Sequence, residues 1–361
     1  MNVLIFYASY GGGHLNAAKS IHQCILDNYP NALVSLVDCM KYVNKTVEKL
    51  TTAAYREAAK KAPWVWGRIY SDSQKGPLAH LSSRSNKIMA IKLLRLLREK
   101  KPDLIISTHP FSSQMCSYLK RKGKTTAEIA TIMTDFAPHD QWLVGSDFTD
   151  YFFVANDKMK EYLRLKNIAD QKIFVTGIPL SNRFLQKYDR KEILDFYGLE
   201  DDKMILLFFG GGEFGLGKSR TFDVFDRIMK TFQEIQMIAI AGKNEKMKAR
   251  FQKIVEENDA NKRVKVLSFT NQIPELMSIS DLVISKPGGM TTSECLASGL
   301  PMIIMNPIPG QEEENAIFLE EHGVGIWLRR GADISEILHN LLSNPSLLLE
   351  MKKNTRSYWS S

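Results

Sequence analysis

The chain opens with the apolar run Asn2-Val3-Leu4-Ile5-Phe6-Tyr7-Ala8, which is followed after two residues by Gly11-Gly12-Gly13-His14. Apolar residues then recur at spacings of three and four, at Ala17, Ala18, Ile21, Cys24 and Ile25. This spacing is typical of a helix that packs on a sheet. A short apolar strand, a glycine turn and an amphipathic helix form the repeating unit of a parallel α/β sheet.

The same alternation continues along the chain in two series. Further apolar runs lie at 33–37, 104–107, 129–133 and 151–154, and a Gly/Pro break at 173–180 ends the first series. The second series comprises residues 204–209, 237–241, 264–267, 282–284 and 302–305. The pattern predicts an α/β protein with two doubly wound domains, residues 1–180 and 181–345. Residues 346–361 are expected to form a C-terminal helix that packs back toward the first domain.

Composition is that of an ordinary globular protein. Of the 361 residues, 44% are hydrophobic and 24% are charged, which excludes disordered, collagen-like and coiled-coil classes. No run of about 18–20 apolar residues is present, so no membrane-spanning helix is expected. The four cysteines are far apart and form no CxxC motif, so neither structural zinc nor a disulfide framework is expected, and a reducing cytoplasm fits best.

The positive charge is concentrated in the first half of the chain. Residues 1–180 contain 25 Lys and Arg against 15 Asp and Glu, whereas residues 181–361 contain 23 against 25. Residues 51–100 alone carry 11 basic and 3 acidic side chains, interleaved with aromatic and leucine residues. Indoles and cations beside an apolar face are typical of a helix on an anionic membrane, so Trp64, Trp66, Arg95 and Arg98 are predicted to face one. The alternative is an ordinary solvated helix whose apolar face is core.

Nucleic acid is the usual alternative partner for a basic domain. No helix-turn-helix, zinc-finger or RNP signature accompanies the charge, so nucleic acid is not an expected partner.

The string Gly212-Glu213-Phe214-Gly215-Leu216-Gly217-Lys218-Ser219 matches the P-loop pattern G-x-x-x-x-G-K-S. However, it lies in mid-chain, and no apolar strand ending in Asp follows to hold magnesium. A glycine-rich turn between a strand and a helix can bind phosphate through its backbone N–H groups alone. We therefore expect a phosphate-contacting loop rather than an ATPase.

His14 lies where the first strand ends and the first helix begins. In open α/β sheets this edge faces the ligand. A histidine at this edge can act as a base near neutral pH. The alternative is a histidine that caps or packs the helix.

A third motif spans residues 285–301, Ser-Lys-Pro-Gly-Gly-Met-Thr-Thr-Ser-Glu-Cys-Leu-Ala-Ser-Gly-Leu-Pro. The backbone N–H groups of Gly289, Met290 and Thr291 at a helix start can hold a diphosphate. Glu294 can accept both hydrogens of a ribose diol, or it can simply bond the helix start in a capping box. Downstream, Gln311 and Glu312 follow Gly310, and such side chains commonly bind sugar hydroxyls.

The order of these motifs resembles that of glycosyltransferases of glycolipid synthesis, which have the two-Rossmann-domain fold called GT-B. Residues 134–142, Thr-Asp-Phe-Ala-Pro-His-Asp-Gln-Trp, match the Thr-Asp-x-x-x-His-x-x-Trp segment of the diacylglycerol branch. That branch comprises bacterial diacylglycerol glucosyltransferases and plant monogalactosyldiacylglycerol synthases and is similar to glycosyltransferase family 28. The resemblance covers about residues 2–345.

The resemblance implies a role for each matching residue. In similar enzymes the C-terminal domain binds the UDP-sugar, the N-terminal domain binds the acceptor, and the reaction occurs in the cleft. His14 and Asp135 are the candidates for the general base, with Gly13, His109, His139 and Trp142 on the acceptor side. The donor-binding residues implied are Gly211, Gly212 and Glu213 on the phosphate side, Phe269 and Thr270 at the uracil, Gly289, Met290 and Thr291 at the diphosphate, Glu294 at the ribose, and Gln311 and Glu312 at the sugar.

The resemblance also implies the reaction, an inverting transfer of glucose or galactose from a UDP-sugar to diacylglycerol. No Asp-x-Asp motif is placed to hold a metal, so neither a metal nor another cofactor is expected, and helix N-termini must neutralise the departing diphosphate. The expected location is the inner face of the cell membrane, bound peripherally. The alternatives are a UDP-N-acetylglucosamine transferase acting on a lipid-linked peptidoglycan precursor and a UDP-sugar 2-epimerase.

Overall fold

The computed structural model describes residues 1–9, 12–43, 77–211 and 218–360. The chain forms two compact units, one of Met1–Asn182 with Pro309–Glu314 and one of Arg183–Ile308 with Asn315–Ser361. The first unit thus extends two residues beyond the expected boundary at residue 180, and a short segment from the second half of the sequence is grouped with it.

The first unit is built on a six-stranded sheet with the order β2-β1-β3-β4-β5-β6. In chain order its strands are β1 (Asn2–Tyr7), β2 (Leu33–Asp38), β3 (Leu104–Ser107), β4 (Glu128–Ile132), β5 (Tyr151–Val154) and β6 (Ile173–Val175). All neighbouring pairs are parallel. The strand order reverses direction between β1 and β3, and such a switch point leaves a crevice at the carboxyl edge of the sheet.

The helices of this unit alternate with its strands, as the apolar spacing predicts. They are α1 (Gly13–Asn28), α2 (Cys39–Val43), α3 (Pro77–Lys100), α4 (Pro110–Arg121) and α5 (Asp157–Leu165), with a 3₁₀ turn at Asp140–Trp142. The side chains of Leu4, Ile5 and Phe6 in the central strand β1 are completely buried. Burial on both faces explains why the strand is a continuous apolar run rather than an alternating one.

Helix α3 has one buried and one exposed face over its last three turns. Leu93, Leu96 and Leu97 belong to the core cluster that also contains residues of β1 and α4. Arg95 and Arg98 are exposed on the opposite face. The leucines of the basic stripe are therefore core and not membrane-facing, because the helix needs them to pack on the sheet. Trp64 and Trp66 lie outside the described residues.

None of the helices within the described ranges is long and apolar enough to cross a lipid bilayer.

The second unit has a parallel six-stranded sheet with the order β12-β11-β10-β7-β8-β9. Its strands are β7 (Ile205–Phe209), β8 (Gln236–Ile240), β9 (Val264–Leu267), β10 (Leu282–Ser285), β11 (Met302–Ile304) and β12 (Gly325–Trp327). Its helices are α6 (Arg190–Tyr197), α7 (Lys218–Thr231), α8 (Glu245–Glu257), α9 (Ile273–Ile279), α10 (Gly289–Ala297), α12 (Ile334–Ser343) and α13 (Pro345–Ser360). Helix α11 (Gln311–Glu321) begins in the segment that is grouped with the first unit and continues from Asn315 in the second. The switch point lies between β7 and β10.

Three phenylalanine rings fill the space between β7, α7 and α8. The ring centroids of Phe225 and Phe251 are 4.5 Å apart, and those of Phe208 and Phe225 are 5.3 Å apart. Gly210 follows β7 directly above this cluster. A Cβ at Gly210 would lie 2.3 Å from Met247 Sδ and 2.9 Å from the Phe251 ring. Only glycine therefore fits at this point without displacing the core.

The last helix, α13, packs on α10 and α12 of the second unit. Lys352 Nζ lies 2.7 Å from an Asp281 carboxylate oxygen, and Asn354 donates to the Gly323 carbonyl at 3.2 Å. These contacts attach α13 to its own unit. Its expected approach to the first unit stays a prediction.

All four cysteines are free thiols. Cys24 is exposed on α1, whereas Cys39, Cys116 and Cys295 are buried. Burial raises the pKa of the Cys116 thiol to about 12 and raises the pKa of Cys295 well above its ordinary value. The buried thiols therefore stay protonated at neutral pH.

Candidate functional site

His14 lies at the switch point of the first sheet, on the first turn of α1. Its Nδ1 is 2.7 Å from the carbonyl oxygen of Thr108, at the end of β3, and 3.0 Å from the Thr134 hydroxyl, just after β4. A carbonyl oxygen can only accept, so Nδ1 carries the proton in the neutral ring. This tautomer leaves the Nε2 lone pair as the proton acceptor.

The environment of His14 favours its neutral form. Burial lowers the pKa of His14 from its ordinary value, and this effect outweighs the opposing charge of Asp135 and the hydrogen bond to Thr108. The ring is therefore neutral at physiological pH and able to take up a proton. The alternative role of helix cap does not apply, because the residue before α1 is Gly12 and no side chain caps this helix.

His109 lies next to His14 and caps helix α4. The two ring centroids are 4.6 Å apart with the rings nearly perpendicular. His109 precedes α4, and its Nδ1 accepts a hydrogen bond from the backbone N–H of Phe111 at 3.2 Å. Burial, together with the nearby His14 and His139, lowers the pKa of His109 well below its ordinary value. His109 is thus a neutral cap that forms one wall beside His14.

The segment Thr134–Trp142 forms a single hydrogen-bonded network around one carboxylate. Oδ2 of Asp135 is 3.1 Å from His139 Nε2 and 3.2 Å from Trp142 Nε1. Asp135 is only 2% exposed and Trp142 is completely buried. The spacing Asp-x-x-x-His-x-x-Trp is therefore explained by one acceptor that serves two donors. Trp142 contacts Asp135 from within the core, and its expected place on the acceptor side stays a prediction.

The second unit offers mainly backbone groups at its switch point. Helix α10 begins directly after the turn that follows β10, and its N-cap Gly288 provides no side-chain cap. Because a glycine N-cap has no side chain that could accept from them, the first N–H groups of α10, at Gly289, Met290 and Thr291, are suited to an anion. Gly211, after β7, has φ +95°, a conformation that favours glycine. Gly212 and Glu213 lie outside the described residues.

Glu294 is on the second turn of α10. Burial raises the pKa of this carboxyl group to about 8. Hydrogen-bond donors that approach the carboxylate, such as the two hydroxyls of a ribose, would stabilise its ionised form in this position.

Two further predicted donor residues lie after β9. The Phe269 side chain is 59% exposed, and Lys243 Nζ lies 5.2 Å from its ring centroid. The Thr270 hydroxyl accepts a hydrogen bond from the Gln272 backbone N–H at 3.0 Å. The ring is thus presented to solvent on a loop shaped by its own hydrogen bond.

Gln311 and Glu312 form the first turn of α11, and both are half-buried. One turn further on, Asn315 is completely buried and donates to the Pro287 carbonyl oxygen at 2.8 Å. This bond attaches α11 to the turn that precedes α10. Asn315 lies four residues after Gln311, which places it on the same face of the helix.

Within the described part of the chain, no group of three or more His, Cys, Asp or Glu side chains is arranged to hold a metal ion.

Two doubly wound units, each built on a parallel six-stranded sheet with one switch point, define a protein with the GT-B fold. The fold is shared with several solved structures. MurG of Acinetobacter baumannii has a TM-score of 0.65 at 15% identity, covering 99% of this chain and 95% of that one. HepE of Anabaena in complex with UDP has a TM-score of 0.60 at 15% identity, covering 100% and 95%. UDP-GlcNAc 2-epimerase of Neisseria meningitidis bound to UDP-GlcNAc has a TM-score of 0.61 at 14% identity, covering 98% and 94%.

Sequence comparison narrows this class. The monogalactosyldiacylglycerol (MGDG) synthase family matches residues 14–180, and the glycosyl transferases group 1 family matches residues 189–358. Processive diacylglycerol beta-glucosyltransferase of Bacillus licheniformis is 32% identical over 99% of this chain and 90% of its own length. The enzyme of the same name from Bacillus subtilis is 31% identical over 98% and 90%. The chain belongs to this family of diacylglycerol glucosyltransferases and MGDG synthases, which confirms the resemblance.

Proposed function

We propose that the protein transfers glucose from UDP-glucose to diacylglycerol with inversion, forming a β-glucosyl diacylglycerol. The observation that carries this proposal is the fixed tautomer of His14, whose Nδ1 is held by the Thr108 carbonyl in a chain of this family. The relatives that match nearly the full chain are named for glucose transfer, which favours glucose over galactose.

His14 acts as the general base in this proposal. The acceptor hydroxyl oxygen attacks C1 of glucose, the bond from C1 to the diphosphate oxygen breaks, and the hydroxyl proton moves to Nε2 of His14. The neutral ring that burial maintains is the form required for this step. The Thr108 carbonyl remains bonded to Nδ1–H before and after the transfer, so the ring need not reorient.

Asp135 stabilises the charge that His14 acquires. Its carboxylate already accepts from His139 and Trp142 and is almost inaccessible, so it is poorly placed to take a proton from the acceptor. Its negative charge nevertheless acts on His14 in the direction that favours the protonated ring. We therefore assign the base role to His14 and the electrostatic role to Asp135. Gly13, His109 and His139 complete the acceptor side.

The donor binds through the second unit. The N-terminus of α10 neutralises the departing diphosphate with its N–H groups and dipole, and Glu294 accepts from the ribose hydroxyls. Phe269 and Thr270 hold the uracil, and Gln311 and Glu312 read the glucose hydroxyls. Gly211, Gly212 and Glu213 supply the other phosphate-side loop.

A donor panel tests the reaction. The protein is incubated with diacylglycerol in mixed micelles and with UDP-glucose, UDP-galactose or UDP-N-acetylglucosamine, and the products are resolved by chromatography. We expect a β-glucosyl lipid from UDP-glucose at a rate at least tenfold above the other donors. Transfer from UDP-N-acetylglucosamine alone, or formation of an epimerised nucleotide sugar without lipid product, would contradict the proposal.

We further propose that the exposed basic face of α3 binds an anionic membrane surface on the inner side of the cell membrane. Diacylglycerol stays in the bilayer, so the acceptor unit must approach it. Each exposed cation near such a surface contributes about 1 kcal/mol, and salt screens this contribution. Arg95 and Arg98 are exposed on the face opposite the core leucines.

Vesicle co-sedimentation tests the membrane face. The double variant Arg95→Glu/Arg98→Glu should lose at least tenfold in affinity for anionic vesicles at low salt, with little change for neutral vesicles. The control Lys246→Glu/Arg250→Glu changes the net charge equally on exposed positions of α8 in the second unit. Equal losses in both variants would show that only net charge matters and would overturn the assignment to α3.

A further inference from the structure

Arg220, on the first turn of α7, contacts two segments at the carboxyl edge of the second sheet. Its guanidinium donates to the carbonyl oxygens of Leu328 at 2.7 Å and Arg329 at 2.6 Å, just after β12. It also lies 3.4 Å from the side-chain oxygen of Asn306, just after β11. Helix α7 itself is the next described element of the chain after β7. The planar guanidinium of Arg220 lies on the helix that follows β7. It thus contacts the segments that follow strands β11 and β12.

Asn306 is the most constrained of these partners. Its φ is +50°, a left-handed conformation that is uncommon for a residue other than glycine. Its side-chain amide also donates to the Thr221 hydroxyl at 3.3 Å, next to Arg220 on α7. The turn at Asn306 is therefore held from α7 by two neighbouring side chains. Five residues later the chain reaches Gln311, the first residue of α11.

The position of Arg220 suits a guanidinium and no other cation. The group is half-buried, and burial together with the nearby Arg330 lowers its pKa from the ordinary value. The carbonyl oxygens compensate for the lost hydration. A lysine ammonium is a single point charge and cannot match the planar fork that reaches separate acceptors. The substitution Arg220→Lys therefore keeps the charge and removes part of the geometry.

We propose that Arg220 is a positioning residue for the donor sugar, which fixes the turn at Asn306 and hence the first turn of α11 without touching the substrate. This inference rests on the proposed role of Gln311 and Glu312 at the glucose hydroxyls. It predicts that loss of the Arg220 contacts weakens the binding of the sugar moiety and leaves that of the nucleotide intact.

Arg263 provides a matched control at the opposite end of the same helix. Its guanidinium donates to the carbonyl oxygens of Ile235 at 3.1 Å and Met229 at 2.8 Å, near the C-terminus of α7. It precedes β9 and is thus at the amino edge of the sheet. Arg263 is also half-buried, and burial lowers its pKa from the ordinary value as well. The two arginines have the same chemistry and differ in which edge they hold.

The experiment compares Arg220→Lys with Arg263→Lys by calorimetric titration with UDP and with UDP-glucose. We expect Arg220→Lys to weaken UDP-glucose binding about tenfold, the loss typical of a charge-assisted hydrogen bond, and to change UDP affinity less than twofold. Arg263→Lys should lower the Tm about as much as Arg220→Lys does. It should change neither the UDP affinity nor the UDP-glucose affinity by more than twofold. The proposal would be overturned if Arg220→Lys weakened the binding of UDP and of UDP-glucose equally, or weakened neither. It would also be overturned if Arg263→Lys gave the pattern that is expected of Arg220→Lys.

A second variant removes the partner rather than the arginine. Asn306→Gly keeps the left-handed backbone and deletes the side-chain bonds to Arg220 and Thr221. It should also weaken UDP-glucose binding more than UDP binding, and combining it with Arg220→Lys should give less than the product of the two effects. Independent, multiplicative effects would contradict a shared contact. Because binding is measured apart from turnover, a wild type that binds UDP-glucose but does not glycosylate diacylglycerol would refute the proposed reaction and leave this inference standing.

Discussion

The two units place their candidate sites at the same kind of sheet edge but build them from different groups. The first offers side chains: the half-buried His14 is fixed by a carbonyl, and the buried Asp135 accepts from His139 and Trp142. The second offers a helix N-terminus and glycines, with the half-buried Glu294 as its acid. Proton transfer needs a titratable ring in one tautomer, whereas a diphosphate needs several donors at once. The same topology thus supports two chemistries.

The largest effect is expected from His14. Replacing it with Ala removes the base and should lower kcat by about 10²- to 10⁴-fold while changing UDP affinity less than twofold. Steady-state kinetics with diacylglycerol in micelles and titration with UDP measure the two quantities. A variant that keeps kcat within tenfold of the wild type would show that the first unit does not supply the base.

Replacing Glu294 should have the next largest effect, on the affinity for UDP rather than on kcat. Glu294→Ala deletes an ionic acceptor for the ribose hydroxyls and should weaken UDP binding about 10- to 100-fold. Titration with UDP measures the loss, with circular dichroism as the control for folding. Unchanged UDP affinity would refute the ribose assignment.

The pH dependence of UDP binding provides a second test of the ribose-binding role of Glu294. Because burial raises the pKa of Glu294 to about 8, the group is mostly protonated at pH 7 in the free protein. The ribose diol donates to the ionised form, so UDP affinity should rise by up to about tenfold between pH 7 and pH 9. Calorimetry at the two pH values in Glu294→Gln should show no such rise. A fall in wild-type affinity over this range would contradict the sign of the effect.

A smaller effect is expected from the network around Asp135. Trp142→Phe keeps the ring in the core and removes one of the two donors to Asp135. This should lower the free energy of unfolding by about 1–3 kcal/mol, because a buried carboxylate loses a partner, and should reduce kcat less than tenfold. Urea denaturation and steady-state kinetics measure the two changes. A kcat loss as large as that of His14→Ala would mean that Asp135 takes the proton itself.

The smallest effect is expected from chelation. If backbone N–H groups of α10 neutralise the diphosphate, EDTA should leave the transfer rate within twofold of its value in untreated enzyme. A strict requirement for added magnesium or manganese would show that the backbone site is not sufficient.

Much of the fold could be predicted because each central strand is a buried apolar run. The expected run at 104–107 coincides with the buried strand β3, and the run at 282–284 coincides with β10 to within one residue. The runs at 151–154 and 264–267 coincide with β5 and the edge strand β9, although these two strands are only partly buried. The edge strand β12, Gly325–Trp327, was not anticipated. It has three residues and begins with glycine, and it becomes a strand only by pairing with β11.

The candidate site is marked by a sequence motif where its hydrogen-bond partners are close in sequence. Asp135, His139 and Trp142 lie four and seven residues apart, so a local motif carries the network. The bond that fixes His14 joins positions 94 residues apart through a backbone carbonyl. Arg220 likewise bonds carbonyls of Leu328 and Arg329, more than 100 residues away. Because every residue has a backbone carbonyl, no residue type marks such a partner in the sequence. These contacts are therefore seen only in the folded chain.

The distribution of the four thiols makes helix α1, which carries His14, accessible to chemical labelling. Thiolates are the reactive form, so a maleimide reagent should modify exposed Cys24 rapidly and the buried Cys39, Cys116 and Cys295 only as their surroundings open. Cys24 is on the same helix as His14, about 15 Å along its axis at 1.5 Å per residue. A fluorophore attached there would report on the movement of α1 during turnover without any engineered cysteine, while the slow thiols would time the unfolding of the core around them.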